Sequence, residues 1–200
     1  MCMRMLKFTF SWALPVCLGL FCLSGAARAD VRQNTAEVKF VRGSASYTDS
    51  LGVVRSLEVG NSLRAGDTIR TGTDSELILF MERNGPGLRL GANTTLGVDK
   101  LEYEETSLGP VINTRLDLRE GDILGSVKKL LASSKYEIKT PQGVATVKGT
   151  EFYVSAKTGE IHVFSGTVYL TVSITGVQQY LIPPQVTPIN PGPYTPLVTI

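Results

Sequence analysis

The sequence predicts an all-β fold, either a single two-sheet β-sandwich or a β-solenoid-like domain with many short strands. Polar and apolar residues alternate in several short runs, which is the period of a half-buried strand. Gly, Asn, Asp and Ser separate these runs at intervals of roughly eight to twelve residues, a spacing typical of all-β domains. The alternating runs are Ala36–Phe40, Leu116–Arg119, Tyr136–Lys139 and Thr167–Val172.

Three other segments fit the same fold. Leu77–Met81 is continuously apolar and predicts a central strand covered on both faces. Asn84–Gly87 lacks the features of a phosphate-binding loop and predicts a hairpin turn. Ser126–Ser133 begins with a possible N-cap, but it is too short to form a helix alone, so we do not expect a helix there.

Short turn patterns recur along the chain. Leu63–Ile69 resembles Leu118–Leu124, and Val41–Ser44 resembles Val147–Thr150 and Phe164–Thr167. The unequal intervals do not fit a regular repeat array. We therefore interpret the patterns as reused turns, in which Gly permits a positive φ and Asp, Ser or Thr bonds the neighbouring backbone.

The first 29 residues read as a secretory signal peptide. Arg4 and Lys7 precede the apolar run Phe8–Leu23, and Ala27–Ala29 places small residues before a cleavage site after Ala29. A retained membrane anchor is the alternative, although the run is shorter than the about 20 residues that a spanning helix needs. We therefore expect a periplasmic or secreted protein, in contact with a membrane only if this segment is retained.

Cleavage changes the composition of the 200-residue chain. All three Cys and the single Trp lie in the signal segment, so the exported protein has no disulfides. Subtracting Arg4, Lys7 and Arg28 from the 20 Lys and Arg residues leaves 17 against 18 acidic residues, a net charge of −1. That balance argues against nucleic-acid binding. We expect a signal peptide at 1–29, a β-domain at 30–182 and a proline-rich extended tail at 183–200.

The sequence offers no catalytic, cofactor or metal site. His162 is the only histidine, and alternation with Ile161 and Val163 places it on the solvent face. One His without Cys does not supply the three or four ligands of a typical zinc site. The acidic cluster of Glu102, Glu104 and Glu105 fits a solvated edge strand or loop better than a calcium site.

Residues Lys135–Val154 resemble the signature of the FecR domain family. The family pattern is a strand, Thr-Pro, a short apolar segment, Arg-Gly-Thr-x-Phe and a second strand. Supporting matches extend the resemblance over roughly Ala36–Val172. We expect the matching residues to be mainly structural, with Ala145, Val147, Phe152 and Val154 in the core. The signature positions are Thr140, Pro141, Gly143, Val147, Lys148, Gly149, Thr150 and Phe152.

The resemblance implies a signalling role but not its usual form. The best-known members of the family carry a cytoplasmic segment that controls a sigma factor, then a membrane helix, then this β-domain in the periplasm. Here a signal-like segment alone precedes the domain, so we expect a stand-alone exported domain without direct control of a sigma factor. Lys148 also stands where the family usually has Arg, which removes the planar two-pronged contact that Arg can make.

The residues support two functions. The first is a non-catalytic protein-binding, signalling or scaffold module of the cell envelope, whose partner would bind a sheet edge or exposed strand. The alternative is a carbohydrate or peptidoglycan binding module. It would need Tyr47, Tyr103 and Tyr169 to face outward together and stack on sugar rings.

The signature yields one stability prediction. Because Gly149 is expected at a positive φ or in close packing, Gly149→Val should destabilise the fold by a few kcal/mol. Thermal unfolding measures the effect, and an unchanged melting temperature would contradict it.

Overall fold

The computed structural model describes residues 30–83, 85–174 and 177–181. The predicted signal peptide at 1–29 and the tail at 183–200 lie outside the described residues. The described chain forms strands β1 Val31–Gln33, β2 Ala36–Arg42, β3 Ala45–Thr48, β4 Val54–Ser56, β5 Ser62–Leu63, β6 Thr68–Thr71, β7 Glu76–Met81, β8 Gly85–Leu90 and β9 Thr95–Thr106. These are followed by β10 Gly109–Glu120, β11 Asp122–Ser126, β12 Lys135–Thr140, β13 Gly143–Val147, β14 Glu151–Ser155, β15 Ile161–Ser165, β16 Val168–Ile174 and β17 Val177–Leu181.

The strands form two sheets, which confirms the all-β prediction. The ten-stranded sheet has the order β17-β16-β13-β12-β10-β9-β6-β3-β4, with β1 also paired to β9. The seven-stranded sheet has the order β15-β14-β11-β8-β7-β2-β5. Among the described strands, β10 and β12 pair in parallel, because the chain between them crosses to the other sheet and returns. No helix occurs in the described residues, so Ser126–Ser133 is not helical, as expected.

One apolar core lies between the two sheets. Each sheet contributes the alternate side chains of its strands, as the period-2 pattern predicted. In the ten-stranded sheet these include Ile69, Leu96, Leu116, Ile138 and Ala145. In the seven-stranded sheet they include Val38, Leu79, Leu90, Ile123 and Phe152. This shared core defines a β-sandwich.

The chain turns sharply at nearly every point where it passes from one sheet to the other, the β11–β12 loop excepted. Most of these crossings contain a residue with a positive φ, which a glycine adopts without steric cost. The recurring turn patterns in the sequence are these crossings, which confirms their interpretation as reused turns. Glycine corners are Gly43, Gly60, Gly66, Gly121, Gly149 and Gly166, and Asp74 and Asn93 occupy two further corners.

Neighbouring corners at one end of the sandwich are hydrogen-bonded to one another. The Gly72 N–H donates to the Ser44 carbonyl at 2.9 Å, and the Asn93 N–H donates to the Gly72 carbonyl at 3.0 Å. Farther along the same end, the Gly91 N–H donates to the Asp122 carbonyl at 3.0 Å. Because each corner satisfies the backbone groups of the next, the turns form one connected column rather than separate loops.

Two segments differ from the sequence predictions. Leu77–Met81 lies inside the sheet as predicted, but Ile78 and Phe80 are only half-buried, so one face rather than both is fully covered. A long apolar run alone does not distinguish a strand with one covered face from a strand with two. Here Lys39 lies over the Phe80 ring at 5.7 Å and covers part of the outer face. The β7–β8 hairpin forms as predicted, but its turn begins at Glu82 and Gly85–Leu90 is already strand.

The corner at Gly149 gives the predicted cost of Gly149→Val a physical cause. Gly149 has φ +79°, and a Cβ there would lie 2.5 Å from the Lys129 Cα. Gly52 provides a matched control, since it has φ +81° with no atom within 4 Å of a Cβ. Thermal unfolding should therefore show a larger loss for Gly149→Val than for Gly52→Val. Equal losses would mean that close packing at Gly149 contributes nothing.

Candidate binding surfaces

The FecR-like signature forms β12, β13 and most of β14, together with the corner at Gly149 where the chain passes between the sheets. Ala145, Val147, Phe152 and Val154 are all buried in the core, as expected. Thr140 is also buried and its hydroxyl donates to the Gly143 carbonyl at 3.2 Å. Pro141 and Gln142 form the turn between β12 and β13, and Gly143 begins the second strand.

Lys148 holds the loop that joins β11 to β12. Its ammonium donates to the carbonyls of Ser134 at 2.7 Å and Ala132 at 3.2 Å. Two carbonyl oxygens in different directions suit the three donors of an ammonium group. The Lys at this position therefore has a contact of its own within the fold, and Gly149 packs beside it against Lys129.

The interior beneath the signature contains two polar groups without hydrogen-bond partners. The Tyr136 hydroxyl and the Thr150 hydroxyl are buried, and neither has a partner in the structure. Burial raises the pKa of Tyr136 well above its ordinary value. The Tyr136 ring packs edge-on against Phe152 at 6.5 Å between centroids, so its contacts are those of a core residue.

His162 and the acidic cluster lie on different sheets. His162 is half-buried on the outer face of β15 against the Tyr153 ring at 5.8 Å, while Ile161 and Val163 pack against the core. The acidic cluster lies in β9, which is not an edge strand at that point, because β1 and β10 flank it. Its members make surface ion pairs, Glu102 with Lys100 and Glu105 with Arg83.

The three tyrosines proposed for sugar stacking do not form one surface. Tyr47 packs against the core. Tyr103 is partly buried, with Arg83 over its ring at 4.9 Å. Tyr169 is exposed and follows the core residue Val168, so it faces outward. The sequence could not show this, because it does not determine which of the two faces of each strand enters the core.

A group of exposed aliphatic side chains surrounds the β3–β4 hairpin. Leu51 is 86% exposed at its tip and Val54 is 67% exposed on edge strand β4. Val53 between them and Val59 on the next turn are exposed as well. We call Leu51, Val53 and Val54 the hairpin patch; Val59 lies beyond the base of the hairpin, where the Leu57 N–H donates to the Ala45 carbonyl. The sequence reasoning missed the hairpin patch, although aliphatic residues in a turn that is normally polar were an available signal.

Asp49 fixes the conformation of this hairpin. One carboxylate oxygen accepts the N–H groups of Leu51 at 3.0 Å and Val53 at 2.9 Å, and the other accepts a hydrogen bond from Arg55. These bonds, that from Val53 foremost, lower the pKa of the Asp49 carboxyl below its ordinary value. The hairpin patch is therefore presented on an ordered turn at neutral pH. This ordering is lost only as the pH falls through the lowered pKa.

A cleft of about 330 Å³ lies on the outer face of the seven-stranded sheet. Arg89 on β8 and Tyr153 on β14 are both paired with Leu124 on β11, so they flank it in one row across three strands. Glu76 accepts hydrogen-bonded ion pairs from Arg89 and, at 3.0 Å, from Arg42. The corners at 74–75, 91–92 and 122 close one end.

Buried hydroxyls connect the corners that close the cleft. The Thr71 hydroxyl donates to the Gly91 carbonyl at 2.6 Å and accepts the Thr94 N–H at 2.9 Å. The Thr94 hydroxyl accepts the Asp122 N–H at 3.2 Å. The Ser75 hydroxyl accepts the Ser44 N–H at 2.9 Å. These bonds fix the end of the cleft against the core.

The described residues contain neither a membrane-spanning helix nor a cluster of metal-ligating side chains. Within residues 30–83, 85–174 and 177–181, no helix is long and apolar enough to cross a membrane. The same part of the chain contains no group of three or more His, Cys, Asp or Glu side chains placed to hold a metal ion.

The fold and its surfaces define the class of protein. A two-sheet sandwich whose signature segment packs as a corner between the sheets is an all-β domain. The chain belongs to the FecR protein family, whose model matches residues 67–169. This membership suggests a signalling or regulatory role. No curated protein and no solved structure matches the chain significantly.

The hydroxyl of Thr94 provides a test of the corner column. Thr94→Val keeps the shape of a fully buried side chain but leaves the Asp122 N–H without its acceptor, so we expect a loss of about 1–3 kcal/mol. Thr73→Val is the control, because its hydroxyl is exposed on the same corners and contacts Asn93 alone. Urea unfolding measures both. A Thr94 variant as stable as the Thr73 variant would contradict the structural role of the column.

Proposed function

We propose that this protein is an exported, non-catalytic FecR-domain module that binds another protein of the cell envelope and so takes part in signalling. Membership of the FecR family supports the signalling role. The signal-like residues 1–29 support export. The single observation that supports protein binding is the hairpin patch.

The hairpin patch has the properties of a protein contact. Exposed aliphatic side chains that lie close together in one turn mark interaction sites more often than isolated ones do. Asp49 orders the turn before any partner arrives, which lowers the entropic cost of binding. Asp49 and Arg55 also neutralise one another, so the surface favours an apolar partner without strong charge.

The edge of β4 supplies backbone groups for the same contact. The Asp49 N–H donates to the Val53 carbonyl and the Leu57 N–H donates to the Ala45 carbonyl, so alternation directs the N–H and carbonyl of Val54 and Ser56 away from β3. An extended segment of the partner could pair with these groups while its apolar side chains cover Leu51 and Val54. The partner is therefore an envelope protein that offers an apolar strand.

The proposed role requires no chemical reaction at the FecR-like signature. Phe152 and Val147 are used for packing, and Lys148 is used for backbone contacts. In this role the signature maintains the sandwich, and the hairpin patch at the β4 edge of the ten-stranded sheet contacts the partner protein. The patch lies outside the matched residues 67–169, so family membership alone does not assign it.

Removing the hairpin patch should abolish capture of the partner. Leu51→Ser combined with Val54→Ser removes the two most exposed aliphatic side chains while leaving the Asp49 hydrogen bonds in place. The tagged full-length protein, cross-linked in its native envelope, should capture one protein reproducibly. The amount of that protein captured by the double variant should be at least tenfold lower. A central apolar contact worth about 2 kcal/mol gives an effect of this size.

Leu108→Ser is the matched control, because Leu108 is 83% exposed at the tip of the β9–β10 hairpin. Capture should survive this substitution, and circular dichroism should show both variants folded. Failure of the wild-type protein to capture any protein reproducibly, or equal capture by the double variant, would overturn the proposal.

Export makes a separate prediction. The protein recovered from the periplasm or the medium should begin at Asp30, because cleavage follows Ala29. N-terminal sequencing or intact mass measures this directly. A chain that retains residues 1–29 in the membrane fraction would replace export by membrane anchoring.

A further inference from the structure

The cleft on the outer face of the seven-stranded sheet has a mixed charge. Asp74, Glu76 and Asp122 supply carboxylates, and Arg42 and Arg89 supply guanidinium groups. A simple anion in the cleft would face three carboxylates, and a simple cation would face two guanidinium groups. The lining therefore disfavours both kinds of ion and favours a neutral ligand with many hydrogen-bonding groups.

The hydrogen-bonding groups of the lining narrow the ligand further. Guanidinium groups only donate and ionised carboxylates only accept. In the cleft the two kinds alternate at close range, because Glu76 lies between Arg42 and Arg89 and bonds both. Neighbouring hydroxyls of a sugar ring match this alternation, since each hydroxyl can donate to a carboxylate and accept from a guanidinium group.

The opposite wall is aromatic. Tyr153 faces Arg89 across Leu124 in the row of paired residues. An aromatic ring offers apolar area to the C–H face of a sugar. One polar wall and one aromatic wall fit the two kinds of surface that a pyranose ring carries.

Size and rigidity fit a small unit of saccharide. The volume of about 330 Å³ is at the lower end of the range of ~300–1,000 Å³ for small-molecule sites, so one or two sugar rings fill it. The hydroxyls of Thr71, Ser75 and Thr94 fix the corners at its closed end. A site held in this way needs little ordering when the ligand binds.

We propose that this cleft binds a neutral saccharide unit of one or two rings, through Arg42, Glu76 and Arg89 on one wall and Tyr153 on the other. The site is independent of the tyrosines Tyr47, Tyr103 and Tyr169 and of the hairpin patch, which belongs to the other sheet. It adds a glycan contact to the proposed protein contact.

Titration of the ¹⁵N-labelled full chain with cellobiose and with N,N′-diacetylchitobiose tests the proposal. The amide signals of Gly91, Leu124 and Tyr153 should shift and saturate with at least one disaccharide. Glucuronate and glucosamine, which carry opposite charges, should cause smaller shifts at the same concentration. No saturation by either disaccharide up to about 10 mM, ten times a Kd of ~1 mM, would overturn the proposal, as would stronger binding of a charged sugar.

A pair of variants locates the site. Arg42→Gln removes a guanidinium group that is 66% exposed, so it should fold normally and weaken disaccharide binding about tenfold. Arg115→Gln is the control, because Arg115 is 55% exposed and forms a similar cross-strand ion pair with Glu137 on the other sheet. Equal affinities of the two variants would overturn the assignment to the cleft.

Sedimentation with insoluble peptidoglycan distinguishes the sources of such a saccharide. Retention that free disaccharide displaces and that Arg42→Gln weakens identifies the wall polymer as the source. Disaccharide binding without retention identifies a soluble or differently linked glycan. Retention that neither treatment changes would overturn the site. Because capture through the hairpin patch uses other variants, the two proposals fail separately.

Discussion

The structure depends on the sharp corners by which the chain passes between its sheets. A two-sheet sandwich made by repeated crossing needs a reversal within two or three residues, and left-handed backbone provides it. At Gly121 a Cβ would overlap Thr94, and at Gly166 a Cβ would overlap Gly149, so each corner also packs against its neighbour. Hydrogen bonds such as that from Gly72 to Ser44 then link the corners along one end. The core can fill the space between the sheets because these ends hold the sheets in register.

The rigid ends leave the outer surfaces free to carry function. The closed end of the cleft on the seven-stranded sheet is built from corners that Thr71 and Thr94 fix against the core. The hairpin patch lies on the other sheet, at the β4 edge of the ten-stranded sheet. Its turn is ordered separately by Asp49. Within the FecR-like segment Lys135–Val154, Tyr153 lines the cleft, but the eight signature positions from Thr140 to Phe152 lie outside both surfaces. The signature forms the corner at Gly149 and the contact of Lys148 with the β11–β12 loop. In this account the family residues specify the fold, and residues beside them specify what the fold binds.

The sequence predicted the fold class well because period-2 alternation and positive-φ turns are local signals. The Gly-Asp and Gly-Ser/Thr patterns marked corners that the structure places between the sheets, such as Gly121 and Gly43. The sequence could not predict the partial exposure of Ile78 and Phe80, because coverage of an outer face depends on distant side chains.

Both candidate surfaces were harder to predict for the same reason. The cleft joins Arg42, Glu76 and Tyr153 from three strands far apart in the chain, and no spacing rule connects them. The hairpin patch did have a local signal in Leu51 and Val53, but its exposure depends on the Asp49 hydrogen bonds that hold the turn outward.

The central claim is that the linked corners are as stable as the core, and amide hydrogen exchange measures this directly. Turn amides normally exchange quickly, but those of Gly72, Gly91 and Asn93 donate to neighbouring corners. The account predicts that these amides exchange only on global unfolding, at the rate of core amides such as that of Leu79. Exchange as rapid as that of the exposed turn at Leu108 would contradict it.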